Sequence, residues 1–213
     1  MFMPLIRKGA EADLFLEDWY GLKTIRKMRK QKAYRITSLD TSIRRERTSH
    51  EAQIMHEAKL AGVPTPTIYM VDMATTSIIM EYIEGTRIKE ALNELSSIKR
   101  ENLCNLLGQL VGKLHLKGII HGDLTTSNMI EGMNDKIFII DFGLAEYSEE
   151  LEKRGVDLLL LKRALQSTHY AYAKECYDAV VKGYSKEMKN EATKEVTQRV
   201  KEIENRGRYA VER

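Results

Sequence analysis

The chain has 213 residues, 43% of them hydrophobic, and a formal net charge of +3. That is apolar material for one sizeable core, or for two small lobes sharing a cleft. No apolar run reaches the ~18 residues of a membrane span, the start MFMPLIRKGAEADLF turns charged too early for a secretory signal, and the cysteines, Cys104 and Cys176, offer neither a disulfide framework nor a zinc site, so a reducing, cytoplasmic setting is expected.

Residues 4–35 read as short strands joined by turns. PLIRKG and ADLFLED alternate apolar and polar residues around Gly9-Ala10-Glu11-Ala12, and WYG turns the chain into LKTIRKM. Between Gly21 and Leu39 there are seven Lys/Arg and no acid. Such a run is either a solvated basic face or a surface for phosphates, those of a nucleotide or of RNA. A helix follows from near Asp40, carrying Ile43, Arg47, Ile54 and Leu60, and Gly62 and Pro64 end it. TIYMVDMATTSIIMEYIEG reads as a strand pair turning at its Thr-Thr. Residues 1–82 are therefore expected to form a small β-rich lobe with one main helix.

Beyond Gly85 the period becomes helical. RENLCNLLGQLVGKLHLKG sets Leu103, Leu106, Leu107, Leu110, Val111 and Leu114 on one face, and Gly118 stops it. NMIEGMNDKIFIID reads as a tight hairpin. From Ser148 on, EELEKRGVDLLLLKRALQ, YAYAKECYDAVVKGY and EATKEVTQRVKEIENRG are helical. Residues 83–205 thus form a reduced α-helical second lobe. The end, 206–213, is a basic tail too short and too charged to hold a position unaided. The class is α+β, in two lobes, and the cleft between lobes is the expected ligand site.

The chemistry concentrates in HGDLTTSN, His121 to Asn128, and IIDFG, Ile139 to Gly143. Magnesium takes hard oxygen ligands, one or two from side chains and the rest from phosphate and water. Asp141 follows an apolar strand and Asn128 begins the other strand of the hairpin, so the two face one pocket as metal ligands. Asp123, in a loop, is free to accept or orient a hydroxyl proton while a γ-phosphoryl group departs. Asp-x4-Asn with Asp-Phe-Gly thirteen residues on has the spacing of the protein-kinase catalytic and metal-binding loops.

That resemblance asks for a strand lysine on the phosphates and a helix glutamate to hold it. Lys27 is the candidate. Lys23, Arg26 and Lys30 remain open to a slip of register, but alternation sets Ile25 and Lys27 on one face. Glu51 is the candidate partner, the competing reading being a surface pair with Arg47. Adenine would take backbone hydrogen bonds near Glu81 and Ile83.

Gly9-Ala10-Glu11-Ala12 stands where protein kinases have a glycine-rich loop, His121-Gly122-Asp123 stands for HRD, and no APE follows Gly143. Asp157 either braces the catalytic loop from a buried helix or is a plain helix-surface carboxylate. With GAEA, KAYR, RTSHEA, HGDLTTSN, DFGLA and RGRY, the chain resembles the small atypical kinase/ATPase subunit of the KEOPS complex, the PRPK family, in its stand-alone archaeal-type form. The resemblance implies a miniature two-lobed kinase fold, ATP and Mg2+ as cofactors, and autophosphorylation and ATP hydrolysis. It further implies KEOPS partners, above all a threonylcarbamoyltransferase subunit acting on tRNA. In its light Arg206, Arg208 and Tyr209 are expected to meet that partner or tRNA, against the bland reading of a disordered basic terminus, and Lys23 to Arg35 to face tRNA. His115 is read as packed or capping, and His121 as ordering the catalytic loop. The competing functions are a small-molecule phosphotransferase, since HGD also occurs in antibiotic and choline kinases, and a non-catalytic ATP-binding adaptor.

Overall fold

Residues 4–211 are described by the computed structural model, with side chains through Arg206. Alternation in the first stretch produces β1 (Leu5–Lys8), β2 (Ala12–Trp19) and β3 (Leu22–Arg29). The β2–β3 turn places Tyr20 at φ 54° and Gly21 at φ 81°, the left-handed pair whose twist suits a two-residue hairpin. The long helix α1 (Thr37–Leu60) follows, then β4 (Ile68–Asp72) and β5 (Ser77–Glu81). Asp72 accepts the N–H groups of Ala74 and Thr75 at 2.9 and 3.2 Å, closing the turn between them. The five strands make one antiparallel sheet in the order β1-β2-β3-β5-β4. Ile54, Met55 and Ala58 of α1 pack with Ile78 and Met80 of the sheet.

The second lobe opens with β6 (Gly85–Arg87), the short α2 (Ile88–Ala91) and α3 (Ser97–Leu116), capped by the Ser96 hydroxyl. The strand β7 (Ile119–Ile120) precedes the 121–128 loop, β8 (Met129–Gly132) and β9 (Ile137–Ile139) form the expected hairpin, and β10 (Glu146–Tyr147) returns to β7. Helices α4 (Leu151–Thr168), α5 (Ala173–Met188) and α6 (Asn190–Val211) complete the chain. The buried leucines of α3 meet Leu158, Leu161 and Leu165 of α4 and Val180 of α5 in one cluster, each such side chain contributing roughly 1.5–3 kcal/mol. α3 and α5 approach at backbone distance: a Cβ on Gly108 would lie 1.9 Å from the Val180 carbonyl oxygen.

Three elements depart from the sequence reading. The hairpin belongs to a three-stranded sheet in the order β6-β8-β9, with β8 at its centre. The stretch after Gly85 begins with a strand, β6, before the helical pattern takes over. The segment set apart as a tail from Arg206 is continuous with α6, which runs to Val211.

Candidate active site

β3 and α1 position the small-lobe side. Ile25, Lys27 and Arg29 alternate on the strand and leave the same face of the sheet. Lys27 Nζ lies 2.5 Å from Glu51 Oε1 and 2.6 Å from Asp141 Oδ1, so the register that alternation selects is the one observed. Burial acts to lower the Lys27 pKa, but the two carboxylates outweigh it and hold the ammonium above its usual value. Asp141 is the converse: burial acts to raise its pKa, and the Lys27 ammonium holds it below the ordinary carboxylate range. Glu51 is buried, not a surface partner of Arg47. Its second oxygen, Oε2, accepts from Arg29 at 2.6 Å. Arg29 was not among the candidates, although the parity that selects Lys27 selects it too.

The 121–128 loop is built on a buried carboxylate. Asp157, on α4, is fully buried and accepts the N–H groups of His121 at 2.7 Å and Gly122 at 2.8 Å. That decides its reading for the brace. His115 lies 3.3 Å from the same carboxylate and 2.9 Å from the Tyr184 hydroxyl, packed within the core. Gly122 has φ +77°, and a Cβ there would sit 2.4 Å from the Leu144 carbonyl oxygen, so only glycine fits this turn. His121 contacts the Ile140 carbonyl through Nε2 at 3.2 Å, and its Nδ1 accepts the Asp123 N–H at 3.3 Å. Those partners define a neutral ring with the proton on Nε2, and burial lowers its pKa in the same sense.

Asn128 and Asp141 stand side by side, since the Ile140 N–H donates to the Asn128 carbonyl at 2.9 Å. The Asn128 amide donates to Asp123 Oδ2 at 2.8 Å and to the Asp123 carbonyl at 3.0 Å, which aims the Asp123 carboxylate and leaves Asn128 Oδ1 unused by the described residues. Asp141 sits at φ +65° and takes Lys27 and the Gly143 N–H on Oδ1. Its Oδ2 is likewise unused among them. Two hard oxygens on neighbouring backbones could hold a magnesium ion that keeps phosphate and water ligands, and among the described residues no three His, Cys, Asp or Glu side chains are placed to hold a metal ion by themselves.

Two adjoining cavities meet at Lys27 and Asp141. One, of about 260 Å³, is lined by Ile25, Met80, Glu81, Ile83, Asn128 and Ile140 among others. The Glu81 N–H is engaged by Thr67 and the Tyr82 N–H by Lys23, whereas the Ile83 N–H has no partner among the described residues. The other, of about 220 Å³, is bounded by Gly9, Ala10, Glu11, Ala12, Arg29 and Asp123. The 9–12 loop is tied down by cations: Lys30 donates to the Gly9 carbonyl at 3.3 Å and Lys32 to the Ala10 carbonyl at 2.8 Å, while Glu11 pairs with Lys32 at 3.0 Å and Arg47 at 3.1 Å.

The basic run is not a bare cationic face. Each of its seven members lies within 4.0 Å of a carboxylate supplied from elsewhere in the chain, Lys23 with Glu84, Arg26 with Glu17, Lys30 with Asp13 and Arg35 with Asp40 completing the set. Arg206 donates to Glu152 on α4 at 2.7 Å. The side chains of Arg208 and Tyr209 lie outside the described residues. No helix among the described residues is long and apolar enough to cross a membrane.

Comparison with known proteins agrees with this geometry. Residues 17–202 match the family model described as protein kinase domain. The chain is 46% identical over 215 residues to the KEOPS complex subunit Bud32 of Pyrococcus abyssi, covering 97% of this chain and 96% of that protein. It is 43% and 41% identical over 205 residues to probable bifunctional tRNA threonylcarbamoyladenosine biosynthesis proteins of Methanothermobacter thermautotrophicus and Methanobrevibacter smithii. Those alignments cover 96% of this chain and 36% of each longer relative.

Proposed function

The chain belongs to the protein kinase domain family and, within it, to the family of the KEOPS subunit Bud32, and we propose that it is an ATP-dependent atypical Ser/Thr kinase and ATPase, autophosphorylating, that supports KEOPS in tRNA threonylcarbamoyladenosine modification. The observation that carries the chemistry is the meeting of Lys27, Glu51, Asn128 and Asp141 at one cleft.

In this reading the adenine lies between Ile25, Met80 and Ile140, with the Glu81 carbonyl and the Ile83 N–H as its backbone partners. Lys27 holds the phosphates beneath the Gly9–Ala12 loop, and Glu51 holds Lys27. Asn128 and Asp141 would hold magnesium, which would supply neutralisation of charge on the phosphate oxygens. Asp123, aimed by Asn128, accepts the proton of the attacking hydroxyl or water as the γ-phosphoryl group leaves the ADP oxygen. The work is positioning and charge compensation, which rigid side chains on β3, α1, β8 and β9 suit.

Only residues 144–150 separate Gly143 from α4, which leaves little platform for docking a peptide and favours hydrolysis or self-phosphorylation. Because the longer relatives join this unit to further chain under a tRNA-modifying name, we take a threonylcarbamoyltransferase subunit as the partner, in the cytoplasm, with Arg206, Arg208 and Tyr209 toward it or tRNA. Purified protein with Mg-ATP should label itself and turn over ATP, and Asp123→Ala should abolish both. Turnover no better than that of Asp123→Ala would overturn the proposal. Phosphorylation of small alcohols or aminoglycosides in its place would select the small-molecule phosphotransferase. ATP binding without any turnover would select the adaptor.

A further inference from the structure

We infer that Arg29 is a positioning residue for the Lys27–Glu51 pair, pinning α1 so that the Glu51 carboxylate stays turned toward Lys27. Arg29 follows Lys27 by two positions on β3, so both side chains reach toward α1. Its Nη2 donates to Glu51 Oε2 at 2.6 Å and to the backbone carbonyl of Arg47 at 3.2 Å. These points are one turn apart on the helix. Lys27 takes the other oxygen of Glu51 at 2.5 Å. The carboxylate is therefore gripped from both sides, and its orientation toward Lys27 is set by a second cation.

The environment makes the grip strong. The Arg29 and Glu51 side chains are 5% and 2% exposed, where a charge without a partner is costly. A single nitrogen, Nη2, serves both acceptors, so one end of the side chain ties the Glu51 carboxylate to the helix backbone. Arg29 Nε is buried with no hydrogen-bond partner, so the side chain has settled on Glu51 and the Arg47 carbonyl while leaving a third donor unused. Arg29 also borders the cavity beside Asp123 and Asp141, and Arg47 reaches the 9–12 loop through Glu11 at 3.1 Å. One chain of contacts thus links the loop, α1 and Lys27. With only residues 144–150 between Gly143 and α4, the segment after Gly143 offers little chain of its own to hold α1. Arg29 supplies that restraint from within.

The kinetic arm of the test rests on the phosphoryl-transfer reading, and the structural arm does not. Amide hydrogen exchange on the full chain without nucleotide should show faster exchange in residues 44–52 of Arg29→Met, with α3 and α5 unchanged. In steady state with Mg-ATP, kcat should fall about 100-fold while KM for ATP moves less than about tenfold. Arg29→Lys, which restores a cation beside Glu51 on a different donor group, should recover part of kcat and show a smaller rise in α1 exchange. Should Arg29→Met fail to fold, Arg29→Lys carries the test on the same two readouts. Wild-type exchange in α1 overturns the inference, as does faster exchange spread equally over α3 and α5. If the wild type itself shows no turnover, the proposed function falls, and the exchange data alone decide the role of Arg29.

Discussion

Replacing Asp157 with alanine probes how the loop that carries Asp123 is held. The fully buried carboxylate accepts the His121 and Gly122 N–H groups at 2.7 and 2.8 Å. Alanine strands both donors away from water. One stranded buried donor costs roughly 1–3 kcal/mol, so the two cost about 2–6 kcal/mol, and relief from burying the carboxylate pulls the loss down to about 2–4 kcal/mol. That is a large part of a typical stability of about 5–15 kcal/mol. Asp157→Asn keeps one acceptor oxygen but turns an amide NH2 toward the other N–H, for a loss of about half as much. Urea denaturation read by midpoint and slope measures both, and turnover of the folded fraction reports whether Asp123 has moved. An Asp157→Ala protein within about 0.5 kcal/mol of wild type would refute the reasoning, as would an asparagine variant less stable than the alanine one.

Gly122→Ala combines a φ of +77° with a Cβ 2.4 Å from the Leu144 carbonyl oxygen, so denaturation should show a loss of about 2–4 kcal/mol and turnover should drop with the displacement of Asp123. His121 has a pKa lowered by burial, only partly offset by Asp157. An unfolded imidazole titrates near ~6.5, so the neutral ring stabilises the fold fully above that pH and the contribution is lost as pH falls toward the folded value. The unfolding free energy should therefore drop between about pH 7.5 and about pH 5.5, and His121→Gln should flatten that slope.

Much of this was readable because short-range rules carry it. Strand parity placed Lys27 on the cavity face, turn chemistry placed the β2–β3 hairpin, and the spacing of Asp123, Asn128 and Asp141 named one pocket. What escaped depends on contacts distant in sequence. Asp157 sits among leucines on α4, and whether it faces solvent or the catalytic loop is settled by what α4 packs against. Arg29 shared the parity of Lys27, but a run of cations reads as a surface until the fold brings Glu11, Asp13, Glu17 and Glu51 to it. β6 is three residues long, too short to show a period, and exists because β8 is there to pair with it. α6 runs through the charged RGRY because it is already nucleated upstream, where Val196 and Val200 are buried.

The central claim is that a magnesium-bound nucleotide spans Lys27 and the paired oxygens of Asn128 and Asp141. Titration calorimetry of ATP with and without Mg2+, on wild type and Asp141→Asn, tests it most directly. The wild type should bind ATP at least about tenfold more tightly with Mg2+, and Asp141→Asn should lose that dependence. The same magnesium dependence in both proteins would contradict the account.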